Sequence, residues 1–246
     1  MGARLHVDPA RFTGDTIIVS DEDHRYLVRV LRLGVGDQVT LFDGRGGEAD
    51  ATISRLGPRA VELHVEARRQ GEATTGPLLT LVQALARGEK LDLVVQKATE
   101  LGVGRIIPVT TQRAVPRLDT IRAASRRARW QKIAREAARQ CGRADVPEVE
   151  PVTALPLALD AAPRDALKLV LWEEARQVRL RELLPAEPPP AIVIVVGPEG
   201  GFTSEEIAHA REAGFSPVGF GPRILRTETA SLAALAVVGY ALGDLG

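Results

Sequence analysis

Two short segments of the chain combine residues that shape a backbone with residues that carry charge. Gly197-Pro198-Glu199-Gly200-Gly201 follows the apolar run Val193-Ile194-Val195-Val196, and Phe220-Gly221-Pro222 leads into Ile224-Leu225-Arg226-Thr227-Glu228-Thr229-Ala230. Each reads as a strand, a glycine- and proline-bearing loop, and the start of a helix. Two such units in succession put two backbone-rich loops at the carboxyl ends of neighbouring strands, where open α/β sheets bind small ligands. Gly197, Gly200 and Gly201 have no Cβ, so a ligand can approach the main chain closely. Arg226 is a cation fit to stabilise a developing anion, and Glu228 a carboxylate fit to orient a group or accept a proton. For Glu199 and Glu228 the competing reading is stabilisation of a helix amino terminus. For a single loop, an ordinary capped βα turn explains as much, and Thr203 with Glu206 has capping-box spacing. The polar run at 226–228 in the second loop tips the balance toward a site.

Other chemistries find less support. There is no GxxxxGK[ST], and no GxGxxG between a strand and a helix. Asp43-Gly44-Arg45-Gly46-Gly47 is glycine-rich but lies between two strand-like runs and reads as a hairpin turn. The four histidines, His6, His24, His64 and His209, lack metal-ligand spacing, so no metal is expected. Trp130 and Trp172 sit in apolar periodic settings and read as core.

These residues need a scaffold, and the chain supplies two kinds. Strand candidates Leu5–Val7, Thr16–Val19, Gln38–Phe42, Glu48–Ser54 and Val61–Ala67 crowd the amino-terminal part, with one helix from Asp21 to Leu33. That density suggests a small β-barrel over residues 1–72, with a linker near 70–77. Residues 73–246 alternate strand and helix. The strands are Leu78–Ala84, Arg105–Val109, Leu167–Trp172, Ile192–Val196 and Pro217–Phe220. The helices are Lys90–Leu101, Ser125–Cys141, Ala154–Ala161, Val178–Leu184, Thr203–Ala213 and Thr229–Leu242. Such alternation implies a largely parallel sheet covered on both faces.

Composition narrows the function classes. The 246 residues are 45% hydrophobic and 26% charged, and no apolar run is long enough to span a bilayer. The amino terminus lacks a basic-then-apolar export pattern, and Cys141 is the single cysteine, so a cytoplasmic location without disulfides is expected. Net charge is zero, yet nine basic residues stand against two acids between Arg117 and Arg143. Clustered charge of this kind is an electrostatic footprint for a polyanion, and Arg126, Arg129 and Arg135 are its candidate contacts. A solvated helix face in an arginine-rich protein is the plainer alternative. His24 opens the first helix beside Arg25, Arg29 and Arg32, a second place for phosphate contact.

Five segments, in order along the chain, carry a resemblance. They are His24 with Val30-Leu31-Arg32-Leu33; Lys97-Ala98-Thr99-Glu100-Leu101-Gly102-Val103; Arg129-Trp130 with Ile133, Glu136-Ala137, Gln140 and Gly142-Arg143; Gly197–Gly201; and Ile224–Ala230. With them the chain resembles the bacterial 16S rRNA uridine-N3 methyltransferases of the SPOUT class. The resemblance implies a parallel α/β sheet with a carboxyl-terminal trefoil knot, and a PUA-like amino-terminal barrel that binds RNA. It implies S-adenosylmethionine as cofactor, held by Leu171, Gly197, Glu199, Gly200, Gly201, Phe220, Ile224 and Leu225. It further implies a homodimer acting on 16S rRNA of the 30S ribosomal subunit, with Arg4, Arg25, Arg29 and Arg32 among the RNA contacts. Within that frame Arg226 would stabilise the uracil anion, Glu228 would orient or accept the proton, and Glu199 would balance a cationic part of the cofactor. The sequence departs from the family at Arg4-Leu5-His6, where two bulky apolar residues are usual after the arginine. It also departs at Gln112-Arg113-Ala114-Val115, where Glu/Thr-Arg-Ser is commoner, and at Cys141.

Two rival functions compete. A ribose 2′-O-methyltransferase of the same class would need an early Asn-centred motif, which the first strand-helix unit lacks. A non-catalytic RNA-binding assembly factor would not need the intact glycines at 197, 200 and 201.

Overall fold

The computed structural model describes residues 2–71, 76–114, 119–175, 178, 180–241 and 245. Part of the expected linker, together with Val115, Arg117 and Leu242, lies outside them. The chain divides into two compact units, one holding residues up to 73 together with 138–146, the other holding 74–137 and 147 onward.

The first unit is a five-stranded sheet of β1 (Ala3–His6), β2 (Thr16–Ser20), β3 (Gln38–Phe42), β4 (Gly47–Leu56) and β5 (Ala60–Gln70), in the order β1-β3-β4-β5-β2. β1 runs parallel to β3 and the other pairs are antiparallel. Register shifts at Asp50/Ala51 and Ile53/Arg55 bend the two long strands, and the sheet curls around one core containing Leu5, Ile17, Leu41, Ile53 and Leu63. Asp43 Oδ1 accepts from the backbone N–H groups of Arg45 and Gly47 and closes the expected hairpin.

The helix expected from Asp21 to Leu33 is shorter and irregular. α1 covers Asp21–Arg25, then Tyr26–Val30 form a π-helical turn, with Leu31 N–H donating to Tyr26 O at 2.9 Å. Leu27 is fully buried, and Tyr26, Val28, Leu31 and Leu33 all pack on the same core. Five apolar residues within eight positions exceed the stripe of an ideal α-helix, and a wider turn brings more of them inward.

The second unit is parallel throughout. Its strands are β6 (Leu78–Ala84), β7 (Arg105–Thr110), β8 (Glu148–Val149), β9 (Thr153–Ala154), β10 (Leu167–Leu171), β11 (Ala191–Val196) and β12 (Ser216–Val218). They take the order β12-β10-β11-β6-β7-β8, with β9 also on β7. All six residues of β11 are buried, as a central parallel strand requires. The two-residue strands β8 and β9 are too short to leave a periodic signal.

The helices are α2 (Lys90–Glu100), α3 (Thr120–Cys141), α4 (Leu155–Asp160), α5 (Leu180–Leu183), α6 (Ser204–Glu212) and α7 (Thr227–Ala241). α4 and α6 cover one face, where Leu155, Leu159, Ile207 and Ala210 join Val82, Val170, Val193 and Val195. α7 covers the opposite face and packs on α2 and β11. α3 begins five residues before the expected Ser125, because the Asp119 carboxylate accepts from the Arg122 N–H and caps it. Trp130 is core as expected, its indole N–H donating to Asp92 at 2.9 Å.

The helix after β11 starts where its sequence places it. Thr203 Oγ1 accepts from Glu206 N–H at 3.2 Å, and Glu206 Oε2 accepts from Thr203 N–H at 2.9 Å. We predict that Thr203→Ala lowers unfolding free energy by about 1 kcal/mol and that Thr203→Ser restores most of it, as read by urea denaturation.

Candidate functional site

The carboxyl ends of β10, β11 and β12 open on a cavity of about 280 Å3. The end of β10 and the loop after it contribute Leu171, Trp172 and Glu173 to its wall, and the loop after β11 contributes Gly197, Pro198, Glu199, Gly201 and Phe202. The loop after β12 adds Phe220 to Arg226. Of the residues expected to hold a cofactor, Leu171, Gly197, Glu199, Gly201, Phe220, Ile224 and Leu225 line this one space. Gly200 does not; it faces the loop after β7, where Arg113 donates to Gly200 O at 3.1 Å. Trp172, expected in the core, is half-buried and serves both core and cavity.

Each glycine has its own reason. Gly201 adopts φ +67°, and a Cβ there would stand 2.6 Å from Glu173 Oε1. A Cβ on Gly197 would press the Phe202 ring at 3.1 Å, and one on Gly200 would meet Arg113 Cβ at 3.2 Å. The loop is thereby closely packed, against the cavity-wall residues Glu173 and Phe202 at Gly201 and Gly197 and against Arg113 at Gly200.

A buried polar cluster sets the loop's position. Gln83, fully buried on β6, donates to Thr227 Oγ1 at 3.0 Å and to Ala84 O at 3.2 Å, while its Oε1 accepts from Ser231 Oγ. Thr227 Oγ1 in turn donates to Gly197 O at 2.6 Å. One side chain of the central sheet therefore fixes both the first glycine of one loop and the first turn of α7. Glu206 adds a second tie, its Oε1 accepting from Gln112 N–H at 2.8 Å. Gln83 was not singled out in the sequence, although a glutamine inside Leu78-Leu79-Thr80-Leu81-Val82-Gln83-Ala84 puts an amide in a run otherwise apolar but for Thr80, and is therefore a signal.

Charge gathers at the rim. Lys90 Nζ lies 2.7 Å from Glu199 Oε1 and 3.8 Å from Glu228 Oε2. Burial pushes the Glu199 carboxyl up, but hydrogen bonds from Lys90, its own N–H and the Arg87 N–H, with the Lys90 charge, outweigh that and hold it below the usual range. Glu228 turns toward Lys90 and is not part of the cavity wall, and its Oε2 is buried without a hydrogen bond. Arg226 is exposed at the wall, with no ion-pair or hydrogen-bond partner for its guanidinium among the described residues. Lys90 carries no local sequence signal, since its partner Glu199 is 109 residues away.

The other predicted arginines fare differently. Arg4 pairs with Glu48 at 2.6 Å, lies over the Phe42 ring and is largely buried. Arg25, Arg29 and Arg32 are exposed in the first unit, with Arg32 at φ +57°, and His24 Nε2 contacts Gly57 O at 3.1 Å. On α3, Arg129 is taken up by Asp92 and Glu89, Arg127 donates to Val149 O, and Arg122 pairs with Asp119. Arg126 and Arg135 have no such partner among the described residues.

With this geometry in view, the likeness to known proteins is specific. The profile of an RNA methyltransferase domain matches residues 74–239, and that of an RNA methyltransferase PUA domain matches residues 19–66. A ribosomal RNA small subunit methyltransferase E from Mycobacterium tuberculosis is 33% identical over 239 residues, 96% of this chain and 90% of that one. The chain belongs to the ribosomal RNA small subunit methyltransferase E family. The Bacillus subtilis member is 33% identical over 230 residues, covering 92% and 90% of the two chains. The structure of the Neisseria gonorrhoeae member, bound to S-adenosyl methionine, matches with a TM-score of 0.89 at 36% identity over 98% of each chain. A methyltransferase from Legionella pneumophila with bound SAM gives the same TM-score at 34% identity, also over 98% of each. The α/β fold with its PUA domain is therefore that of the family.

Two outcomes follow for the site. Thr227→Val strands Gly197 O and one Gln83 donor, which should cost about 1–3 kcal/mol of stability, with recovery in Thr227→Ser, measured by denaturant titration. Because its folded-state pKa is depressed, Glu199 contributes stability that is fully present above its ordinary value of 4.5 and lost as pH falls through the folded value. The gap in Tm between the natural protein and Glu199→Gln should therefore be full at neutral pH and shrink below that value.

Proposed function

We propose that the chain is an S-adenosylmethionine-dependent methyltransferase that methylates N3 of a uridine in 16S rRNA of the small ribosomal subunit. The observation that carries this is the cavity shared by the three loops, with seven of the eight expected cofactor residues in its wall. Its residues suit the cofactor. Leu171, Val196, Val218 and Leu225 give apolar faces for an adenosine, the glycine loops offer main-chain groups, and Glu199 offers a negative charge. When bound, S-adenosylmethionine supplies an electrophilic methyl group on a sulfonium.

The chain's own part is alignment and electrostatics. Uridine N3 becomes a nucleophile as its proton leaves, and negative charge then spreads over the uracil ring. Arg226, exposed and free of partners among the described residues at the cavity wall, is placed to meet that charge. Glu228, tied toward Lys90 at the start of α7, acts by orienting this end of the site. The amino-terminal PUA-like unit binds RNA through exposed Arg25, Arg29 and Arg32, while the methyltransferase unit is residues 74–137 and 147 onward, the expected single boundary near 72 giving way to a first unit that also holds 138–146. A trefoil knot in the methyltransferase unit is what membership of the family implies.

The active species is a homodimer in the cytoplasm, acting on the 30S subunit. Supporting the dimer, Ile224 and Tyr240 are 79% and 76% exposed, more apolar surface than α7 and its leading loop would leave uncovered. No helix among the described residues is long and apolar enough to cross a membrane.

Labelled S-adenosylmethionine incubated with unmodified small subunits should give N3-methyluridine as the product nucleoside by mass spectrometry. A 2′-O-methylated nucleoside would reject the N3 assignment, and absence of transfer despite cofactor binding would reject the substrate. Reversing the charge at Arg126 and Arg135 together should weaken RNA binding and flatten its log–log salt dependence by roughly one for each phosphate no longer neutralised. Reversing Arg129 should instead lower stability, since Asp92 and Glu89 hold it.

A further inference from the structure

Lys90 stands where a lysine is electrostatically unwelcome. It is the first residue of α2, and the positive end of a helix dipole disfavours a cation there. A lysine kept only for helix stability belongs at the other end. What offsets the cost is a pair of carboxylates from two different segments, Glu199 from the loop after β11 and Glu228 from the first turn of α7. Glu199 also accepts from the Arg87 N–H at 3.2 Å, so the turn leading into α2 and the helix's first residue each grip it. Glu199 is part of the cavity wall and Glu228 is not. The three side chains together carry one net negative charge beside the cavity, and Lys90 determines which way Glu199 points.

We propose that Lys90 is a positioning residue of the cofactor site, fixing the Glu199 carboxylate at the cavity so that it complements a positively charged ligand. This rests on the reading that the cavity takes S-adenosylmethionine. That ligand carries a sulfonium and an ammonium against one carboxylate and is net cationic. 5′-Deoxy-5′-methylthioadenosine keeps the adenosine and the sulfur but has no charge. Without Lys90, Glu199 and Glu228 repel one another, and Glu199 is held only by the Arg87 N–H and its own N–H. A preorganised charge is then lost, while the surfaces that hold the adenosine remain. The low pKa of Glu199 agrees with a carboxylate kept ionised in this position.

The test is calorimetric titration of both ligands into the full-length protein and its Lys90→Met, Lys90→Arg and Glu199→Gln variants. Lys90→Met should weaken S-adenosylmethionine roughly fivefold to tenfold and 5′-deoxy-5′-methylthioadenosine less than about twofold. Glu199→Gln should reproduce that selectivity, and Lys90→Arg should retain most of the affinity. Equal weakening of both ligands by Lys90→Met would reduce Lys90 to a packing role and overturn the proposal. Unchanged or tighter S-adenosylmethionine binding in that variant would overturn it as well. If the natural protein bound neither ligand, the cavity reading itself would fail.

Discussion

The site depends on one buried amide. A glutamine in the middle of a parallel sheet costs free energy unless every polar atom is satisfied, because no water reaches it. Gln83 meets that condition through Ala84, Thr227 and Ser231, and Thr227 passes the constraint on to Gly197. Gly197 leads the Pro198–Gly201 loop, and Thr227 follows Arg226. The glycine wall of the cavity and the cation at its edge therefore share one anchor in the sheet. The same low-polarity surroundings that make this cluster costly to break also make it rigid.

Around that anchor, charge is allocated rather than spread. The chain is neutral, and four of the seven described arginines of the basic stretch are used within their own unit: Arg122 on Asp119, Arg127 on a carbonyl, Arg129 on Asp92, Arg143 on Asp145. A run that looks like a continuous polyanion surface in one dimension becomes, in three, a few guanidiniums without partners among the described residues. Arg126 and Arg135 on α3, and Arg226 beside the cavity, are of this kind. Lys90 shows the converse, a cation that holds two acids together, one of them in the cavity wall.

Local features were legible in the sequence. Thr203 and Glu206 cap α6, six buried aliphatic residues make β11, and Asp43 closes its hairpin, because each depends on residues within a few positions. The two loops expected to hold a cofactor were legible as glycine patterns at strand ends, and of their expected residues all but Gly200 line the cavity. Three things were not. The π-helical turn at Tyr26–Val30 arises from a core that claims more apolar residues than an α-helical stripe can offer. The early start of α3 hinges on Asp119, visible only as one acid before a basic run. Gln83 and Lys90 act on partners 144 and 109 residues away, a separation that no window of periodicity spans. Arg4, read as an RNA contact, instead directs its charge to Glu48 in the first unit.

A crystal structure with S-adenosylmethionine bound tests the central claim most directly. The account predicts the adenosine between the Gly197–Gly201 and Phe220–Leu225 loops, with the Gln83–Thr227–Gly197 hydrogen bonds intact. A ligand seated elsewhere, or one bound there only after those hydrogen bonds break, would contradict it.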